Sequence, residues 1–344
     1  MRQFFAFLFL VSVLDGRVWT TIQGAKSEGD LMEVMNDRIS LRMNGREYHF
    51  DLARFIEKDR EYVREWKKVP RCEVCKEHLR EKPMRAGESI FHKSCFHCLV
   101  CKKNFRGGES IQRDQWGGLA HLNHGNQLVK CDSCSKFFSR KQAQPRQLFN
   151  DGRSSCVTCY KDGIFENKLL DAVHERVKPV MRELGMTEPI GSLRLSLVDR
   201  HYLNSEALKI NAKGNLRGLT LTKYKITRTG TRTQTSFDHK IFVLHGLPHI
   251  ECVAVLAHEL AHVWLNERFI EASPPEIEGF CNLVSDFALD KEKSKLSTII
   301  KENMHQSQSP IYGAGYRKMK NQLATLGWSS LLSSLKKKSS PPRL

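Results

Sequence analysis

The chain has 344 residues, enough for two or three domains, and its 40% apolar and 27% charged residues exclude wholesale disorder. A net charge of +17 favours contact with acidic molecules. No dense block of arginine and aromatic residues marks a nucleic-acid groove, so a nucleic-acid partner is not expected.

Residues 4–14, FFAFLFLVSVL, form one apolar run of 11 residues between Arg2 and Asp15. A membrane span needs about 20, so the run reads as the apolar core of a secretory signal peptide over residues 1–25, with no clear cleavage site. Secretion is the expectation, a cytoplasmic protein the alternative, and no other stretch could cross a membrane. Residues 26–69 read as an N-terminal segment, polar and flexible over 26–38. Apolar spacing over 50–67 (Phe50, Leu52, Phe55, Ile56, Tyr62, Val63, Trp66) predicts a helix.

Nine of the eleven cysteines lie between Cys72 and Cys159, mostly in pairs two residues apart with histidines among them. Such spacing suits a shared tetrahedral metal better than disulfides. The ligands fall into three sets. Cys72, Cys75, His92 and Cys95 form the first. Cys98, Cys101, His121 and His124 form the second. Cys131, Cys134, Cys156 and Cys159 form the third. Four protein ligands leave zinc no open position, so these sites hold structure and supply folding free energy to modules too small for a core. His78 and His97 read as bystanders. The run C-x2-C-x16-H-x2-C-x2-C-x2-C resembles a LIM domain, with His121 standing where a cysteine is usual. The resemblance implies a protein-binding role for residues 70–126, and residues 127–161 add a four-cysteine module.

From 162 to 335 the pattern changes. A helix is expected over about 162–184, bent at Pro179, then a strand over 192–200. A strand or hairpin with basic residues on one face is expected over 218–234, and another strand over 239–249. The stretch HIECVAVLAHELAHVWLNERF reads as a helix, and a second helix starts at Pro274 and Pro275. The last stretch, SSLLSSLKKKSSPPRL (329–344), reads as frayed and ends in a basic tail over 336–344.

Within that helix, His258 and His262 are four residues apart and share a face. Both can bind one zinc, with Glu259 beside them as general base. The surrounding Val253, Val255, Leu256, Leu260, Val263 and Leu265 would make buried polar groups costly without a metal. A catalytic zinc needs a third ligand and an open fourth position. Glu278 on the next helix is the candidate, ahead of Glu276 and Asp286. Tyr312, Tyr316 and His305 are candidate donors to a tetrahedral oxyanion, and His245 and His249 read as surface residues. A glutamate on a second helix behind HExxH is the gluzincin arrangement.

In order, the zinc modules, NDGRSSCVTC, GLP, VLAHELAHVWL and EGFCNLV resemble the plant organ-size LIM-domain peptidases called the DA-one family. The resemblance spans roughly 70–335. It implies a zinc metallopeptidase with His258, His262 and Glu278 as ligands and Glu259 as base, acting on regulatory proteins and switched on by ubiquitination. Residues 26–69 carry none of the acidic ubiquitin-interacting helices with which plant members begin, and the zinc region is shorter.

The expected fold class is therefore α+β: small β-hairpin zinc modules followed by a minimal zincin-type peptidase domain. One catalytic and about three structural zinc ions are expected. Protein substrates are the expected partners, with a further protein partner at the LIM-like modules. The rival readings are a catalytically inactive LIM adaptor and a basic zinc protein that binds nucleic acid in a salt-sensitive way.

Overall fold

The computed structural model describes residues 17–75, 77–79, 82–212 and 214–341. The apolar run at 4–14 and the last three residues of the tail lie outside them. No helix among the described residues is long and apolar enough to cross a membrane. The chain divides into two units, Met1–Glu109 and Ser110–Leu344.

In the first unit, residues 26–38, expected to be flexible, lie within an antiparallel sheet that runs over 17–51. Its strands are β1 (Arg17–Thr20), β2 (Lys26–Met35), β3 (Arg38–Met43) and β4 (Arg46–Asp51), in that order. Asn44 and Gly45 both take positive φ, 49° and 74°, which is the two-residue turn that matches strand twist. The helix expected from residue 50 starts later: α1 covers Glu57–Lys68. Phe50 pairs with Ile39 inside the sheet, because apolar spacing at 50, 52 and 55 fits a strand and turn as well as a helix. Trp19, Ile39, Leu41, Phe55 and Val63 close the core. Buried Asp59 fastens α1 to the sheet by accepting from the Thr20 amide and the Arg17 guanidinium, each at 2.7 Å.

The hairpin of β5 (Met84–Ala86) and β6 (Ser89–Phe91) follows, between the two halves of the first ligand set. The second unit opens with two more hairpins, β7 (Ile111–Arg113) with β8 (Leu119–His121), and β9 (Leu128–Lys130) with β10 (Phe137–Ser139). A short helix, α2 (Val157–Lys161), carries the last cysteine of the third set.

Beyond it, α3 (Asn167–Glu183) runs through Pro179 as one helix. The chain continues with β11 (Ser192–Val198), α4 (Arg200–Lys209), β12 (Gly218–Thr229) and β13 (Arg232–Leu244). The last two form one long hairpin, so the basic stretch and the expected strand at 239–249 belong to a single ribbon. The sheet order is β11-β13-β12, with β11 parallel to β13 and β12 at an edge. Against it packs α5 (His249–Glu267), and α6 (Pro274–Glu292) packs on α5. Ser273 and Glu276 make a reciprocal capping box at the start of α6, where Pro274 and Pro275 need no amide partners. Leu256, Leu260, Val263, Trp264, Phe280 and Val284 lie in the shared core.

Three further helices follow: α7 (Lys295–Gln306), α8 (Tyr312–Leu326) and α9 (Trp328–Lys336). The expectation of a frayed tail is corrected here. Leu331, Leu332 and Leu335 are buried at helical spacing, each contributing about 1.5–3 kcal/mol. Trp328 donates to the Leu184 carbonyl at 2.8 Å, and Ser340 donates its amide to Phe269 at 2.8 Å.

Candidate metal centres

The zinc-spaced sets are assembled by tight turns. In the first unit, the Cys72 amide donates to the Glu77 carbonyl at 2.9 Å, bending the chain so that two thiols face one point. Cys72, Cys75, His92 and Cys95 place one donor atom each within 4.8 Å of one another. His92 Nδ1 lies 3.2 Å from Cys75 Sγ, and its other nitrogen meets the His78 carbonyl at 2.8 Å. The His78 backbone thus fixes the orientation of the His92 ring, while its own ring nitrogen lies 2.7 Å from the Arg71 guanidinium. His97 is held by the Ser94 carbonyl at 2.8 Å.

The second set is divided between the two units. Cys98 starts a turn in which the Lys102 amide donates to its carbonyl at 2.8 Å. In the second unit, His121 Nδ1 and His124 Nε2 are 3.4 Å apart.

The third set is buried throughout, with Cys134 and Cys156 sulfurs 3.7 Å apart and the Cys156 amide donating to Cys131 Sγ at 3.3 Å. All four cysteines are free thiols, as a metal site requires. This module is locked to the neighbouring helices by charge. Arg153, 2% exposed, pairs with Asp151 at 2.8 Å and donates to the His245 carbonyl at 2.8 Å. Arg200 pairs with Asp132 at 2.9 Å, and Arg217 donates to the Asp132 carbonyl. His245, expected at the surface, instead packs on Phe149 with ring centroids 5.4 Å apart. His249 merely opens α5, its amide donating to Asp162.

The site on α5 and α6 is different in kind. His258 Nε2 and His262 Nε2 are 3.2 Å apart, and Glu278 oxygens lie 3.1 Å and 3.6 Å from them. Tetrahedral zinc with bonds of about 2.0–2.1 Å needs donors about 3.3 Å apart, so the three groups fit the ion. Their side chains are 14%, 19% and 20% exposed. Burial disfavours charge on both imidazoles, but the Glu278 carboxylate outweighs it and their pKa values rise. Burial likewise opposes charge on Glu278, yet the two imidazoles hold its pKa far below the carboxylate range.

The other acids considered as ligands are engaged elsewhere. Glu276 caps α6 and pairs with Lys318 and Lys338. Asp286 pairs with Lys301 at 2.8 Å and Lys320 at 3.0 Å. Glu259 is buried beside the triad, and its carboxylate accepts from the Thr220 hydroxyl on edge strand β12 at 2.7 Å. Thr220 was not foreseen: no local pattern marks it until β12 is laid against α5. Gly218, two residues earlier, has no room for a side chain, since a Cβ would sit 2.6 Å from Glu259 Oε1.

Glu278 owes its position to bare backbone. A Cβ on Gly279 would stand 2.3 Å from the Gly315 carbonyl oxygen, so α6 and α8 touch main chain to main chain. Gly279→Ala is expected to cost about 3 kcal/mol in urea unfolding and to lower zinc content at the α5–α6 site. The same contact brings the start of α8 beside the triad, where Asn282 donates to the Tyr312 carbonyl at 3.3 Å. Burial pushes the Tyr312 phenol up to about 12, and the charges of Glu278 and Glu259 add to the shift. Tyr316 is fully buried and bonded to Lys320 at 3.0 Å, and the His305 ring faces it. Of the three candidate donors, Tyr312 is the one that shares the field of Glu259 and Glu278.

Two family models match the chain: a DA1-like model, described as Protein DA1, over residues 210–295, and a LIM domain model over 72–117. The first covers β12, β13, α5 and α6. Among curated relatives, the rice (Oryza sativa subsp. japonica) LIM domain-containing protein HDR3 is 26% identical over 260 residues, 64% of this chain and 51% of its own length. Protein DA1 of Arabidopsis thaliana is 23% identical over 323 residues, 72% of this chain and 58% of its own. Protein DA1-related 1 of the same plant is 24% identical over 275 residues, 68% and 48% respectively. The chain thus spans about half the length of the relatives it matches. No solved structure matches it.

Proposed function

Since the chain is a LIM-domain protein of the DA1 family, we propose that it is a zinc-dependent endopeptidase that hydrolyses protein substrates. What carries the reading is one arrangement: two imidazole nitrogens 3.2 Å apart on α5, the Glu278 oxygens 3.1 Å from one and 3.6 Å from the other, and a second buried carboxylate, Glu259, beside them. His258, His262 and Glu278 would hold the ion. Zinc so held supplies a Lewis acid that polarises the scissile carbonyl and makes water acidic enough to lose a proton at neutral pH.

The rest falls to the chain's own side chains. Glu259 takes the proton from the attacking water and passes it to the departing amine. A base so placed is worth about 100- to 10,000-fold. Thr220 keeps the Glu259 carboxylate in one orientation by donating to Oε2 and leaves Oε1 for the proton. Tyr312 donates its phenolic proton in a hydrogen bond to the oxygen that gains charge, and its raised pKa keeps that proton in place at neutral pH. Tyr312→Phe is expected to lower kcat about 100-fold with little change in KM, as loss of one oxyanion donor does. Steady-state kinetics would check it, and an unchanged kcat would remove Tyr312 from the reaction.

The LIM-like modules, closed around structural zinc, would serve substrate or partner binding. The apolar run at 4–14 supports export, and a tagged chain found wholly inside expressing cells would refute that part. The activity itself is tested by incubating the purified chain with an unfolded protein substrate. Cleavage should stop on chelation and return with zinc. Full cleavage in excess chelator would reject the metal-dependent reading.

A further inference from the structure

Between Gly218 and Lys240 the β12–β13 ribbon carries Lys223, Lys225, Arg228, Arg232 and Lys240, and Asp238 is the only acid on the three strands of the sheet. Register sorts these residues by face, since partners across a ladder point to one side and successive residues to opposite sides. Thr222, Tyr224, Phe237 and His239 point toward α5 and the turn after it. The Asn266 amide donates to the Thr222 hydroxyl at 2.9 Å, and the Tyr224 and Phe237 rings pack on Phe269 with centroids 5.1 and 5.6 Å away. Lys223, Lys225, Arg232 and Lys240 therefore share the opposite face, with Arg194 of β11 beside Lys240. Helix α4 covers that face at its Phe242 end, where the Tyr202 ring lies 5.4 Å from the Phe242 ring. Further along, Lys223, Lys225, Arg194 and Arg232 are exposed. Asp238 is already engaged, accepting from Arg194 at 2.8 Å and from the Ser192 hydroxyl at 2.7 Å. The lysines and Arg232 thus present one sign of charge on an open face.

We propose that this face of the ribbon docks an acidic segment of a protein substrate and so selects what the peptidase cleaves. It rests on the peptidase reading above and supplies its substrate class. The ribbon is continuous with the candidate centre: β12 also bears Thr220, which holds Glu259. Lys223 and Lys225 follow three and five residues along, about 10 and 17 Å at the rise of a strand. A chain anchored there by its acids keeps a neighbouring stretch of extended residues within reach of the centre. The face offers cations and hydroxyls, and its one aromatic residue on the strands, Phe242, is taken up by Tyr202. Carboxylates are matched there, whereas stacked nucleic-acid bases find no platform. Complementary charge of this kind speeds encounter and weakens with salt.

The test uses the full chain and two unfolded polypeptide substrates that differ at one run, glutamate in the first and glutamine in the second. Wild type is expected to cleave the glutamate substrate with kcat/KM about 10-fold higher at low salt, the ratio falling toward one as salt rises. Lys223→Gln, Lys225→Gln and Arg232→Gln combined should bring the ratio near one at low salt. A ratio near one in wild type, or an unchanged ratio in the triple variant, would overturn the proposal. If the triple variant does not fold, Lys225→Glu takes its place under the same criterion. Fluorescence anisotropy of a labelled glutamate peptide on Glu259→Gln, with and without the triple change, separates docking from cleavage. Binding that the triple change weakens, with neither substrate cut by wild type, would refute the peptidase reading and keep the docking face. Binding that the triple change leaves intact would overturn the docking face. A single-stranded oligonucleotide that binds more tightly than the peptide, and is lost with the triple change, would overturn it in favour of a nucleic-acid surface.

Discussion

Replacing Glu259 by glutamine is expected to abolish proteolysis and leave the zinc content unchanged. Glutamine has the same shape, and its amide oxygen can still accept from the Thr220 hydroxyl that now holds Oε2 at 2.7 Å. It cannot take a proton from water. The proposed metal donors, His258, His262 and Glu278, are separate groups, so the zinc content is expected to stay. The loss expected is about 100- to 10,000-fold in kcat, with thermal stability preserved. Metal analysis and a cleavage assay on the same preparation make the check. Undiminished cleavage by this variant would sink the assigned role, and cleavage lost together with the zinc would show a structural one.

The second large effect is on stability. Arg153→Ala is expected to cost about 3–5 kcal/mol in denaturant unfolding, because it strands the buried Asp151 carboxylate without its cation. Asp151 and Arg153 are 8% and 2% exposed, and the guanidinium also serves the His245 carbonyl and lies 4.6 Å over the Phe149 ring. Burial raises the Asp151 pKa, but Arg153 and the amides of Arg200 and Arg153 more than reverse this and hold it at about 2. A carboxyl depressed in the fold stabilises above its ordinary value near 4 and loses that contribution as pH falls toward 2. The gap between wild type and variant should therefore be full at pH 7 and narrow below about pH 4. Equal stability of the two at pH 7 would refute the argument. The pair joins the third cysteine module to the loop that leads into α5, so the variant should also lose activity through displacement of that helix.

The residues that the structure brings together at the candidate metal centres were readable in the chain because each rests on local spacing. His258 and His262 share a helix face by their interval alone, and the two-residue cysteine steps announce turns around a metal. Glu278 followed from the helical pattern after Pro274 and Pro275. What escaped were features made by distant pairing. Thr220 meets Glu259 only because β12 lies at the edge next to α5. The sheet of the first unit escaped because short polar strands such as Lys26–Met35 gain their order from partners and not from periodicity. The Asn44–Gly45 turn was the available signal for it. The last helix escaped because its serines hid three leucines at helical spacing.

Gly279 and Gly315 give the metal site an unusual kind of permanence. Where side chains set the distance between two helices, a population can adjust that distance in small steps, exchanging leucine for valine or methionine. Here peptide units rest on one another, and a Cβ at either glycine would fall within 2.3 Å of a carbonyl oxygen. No graded series of substitutions exists at such a contact. Substitutions on the outer faces of α6 and α8 leave that contact untouched, and the carboxylate of Glu278 keeps its seat.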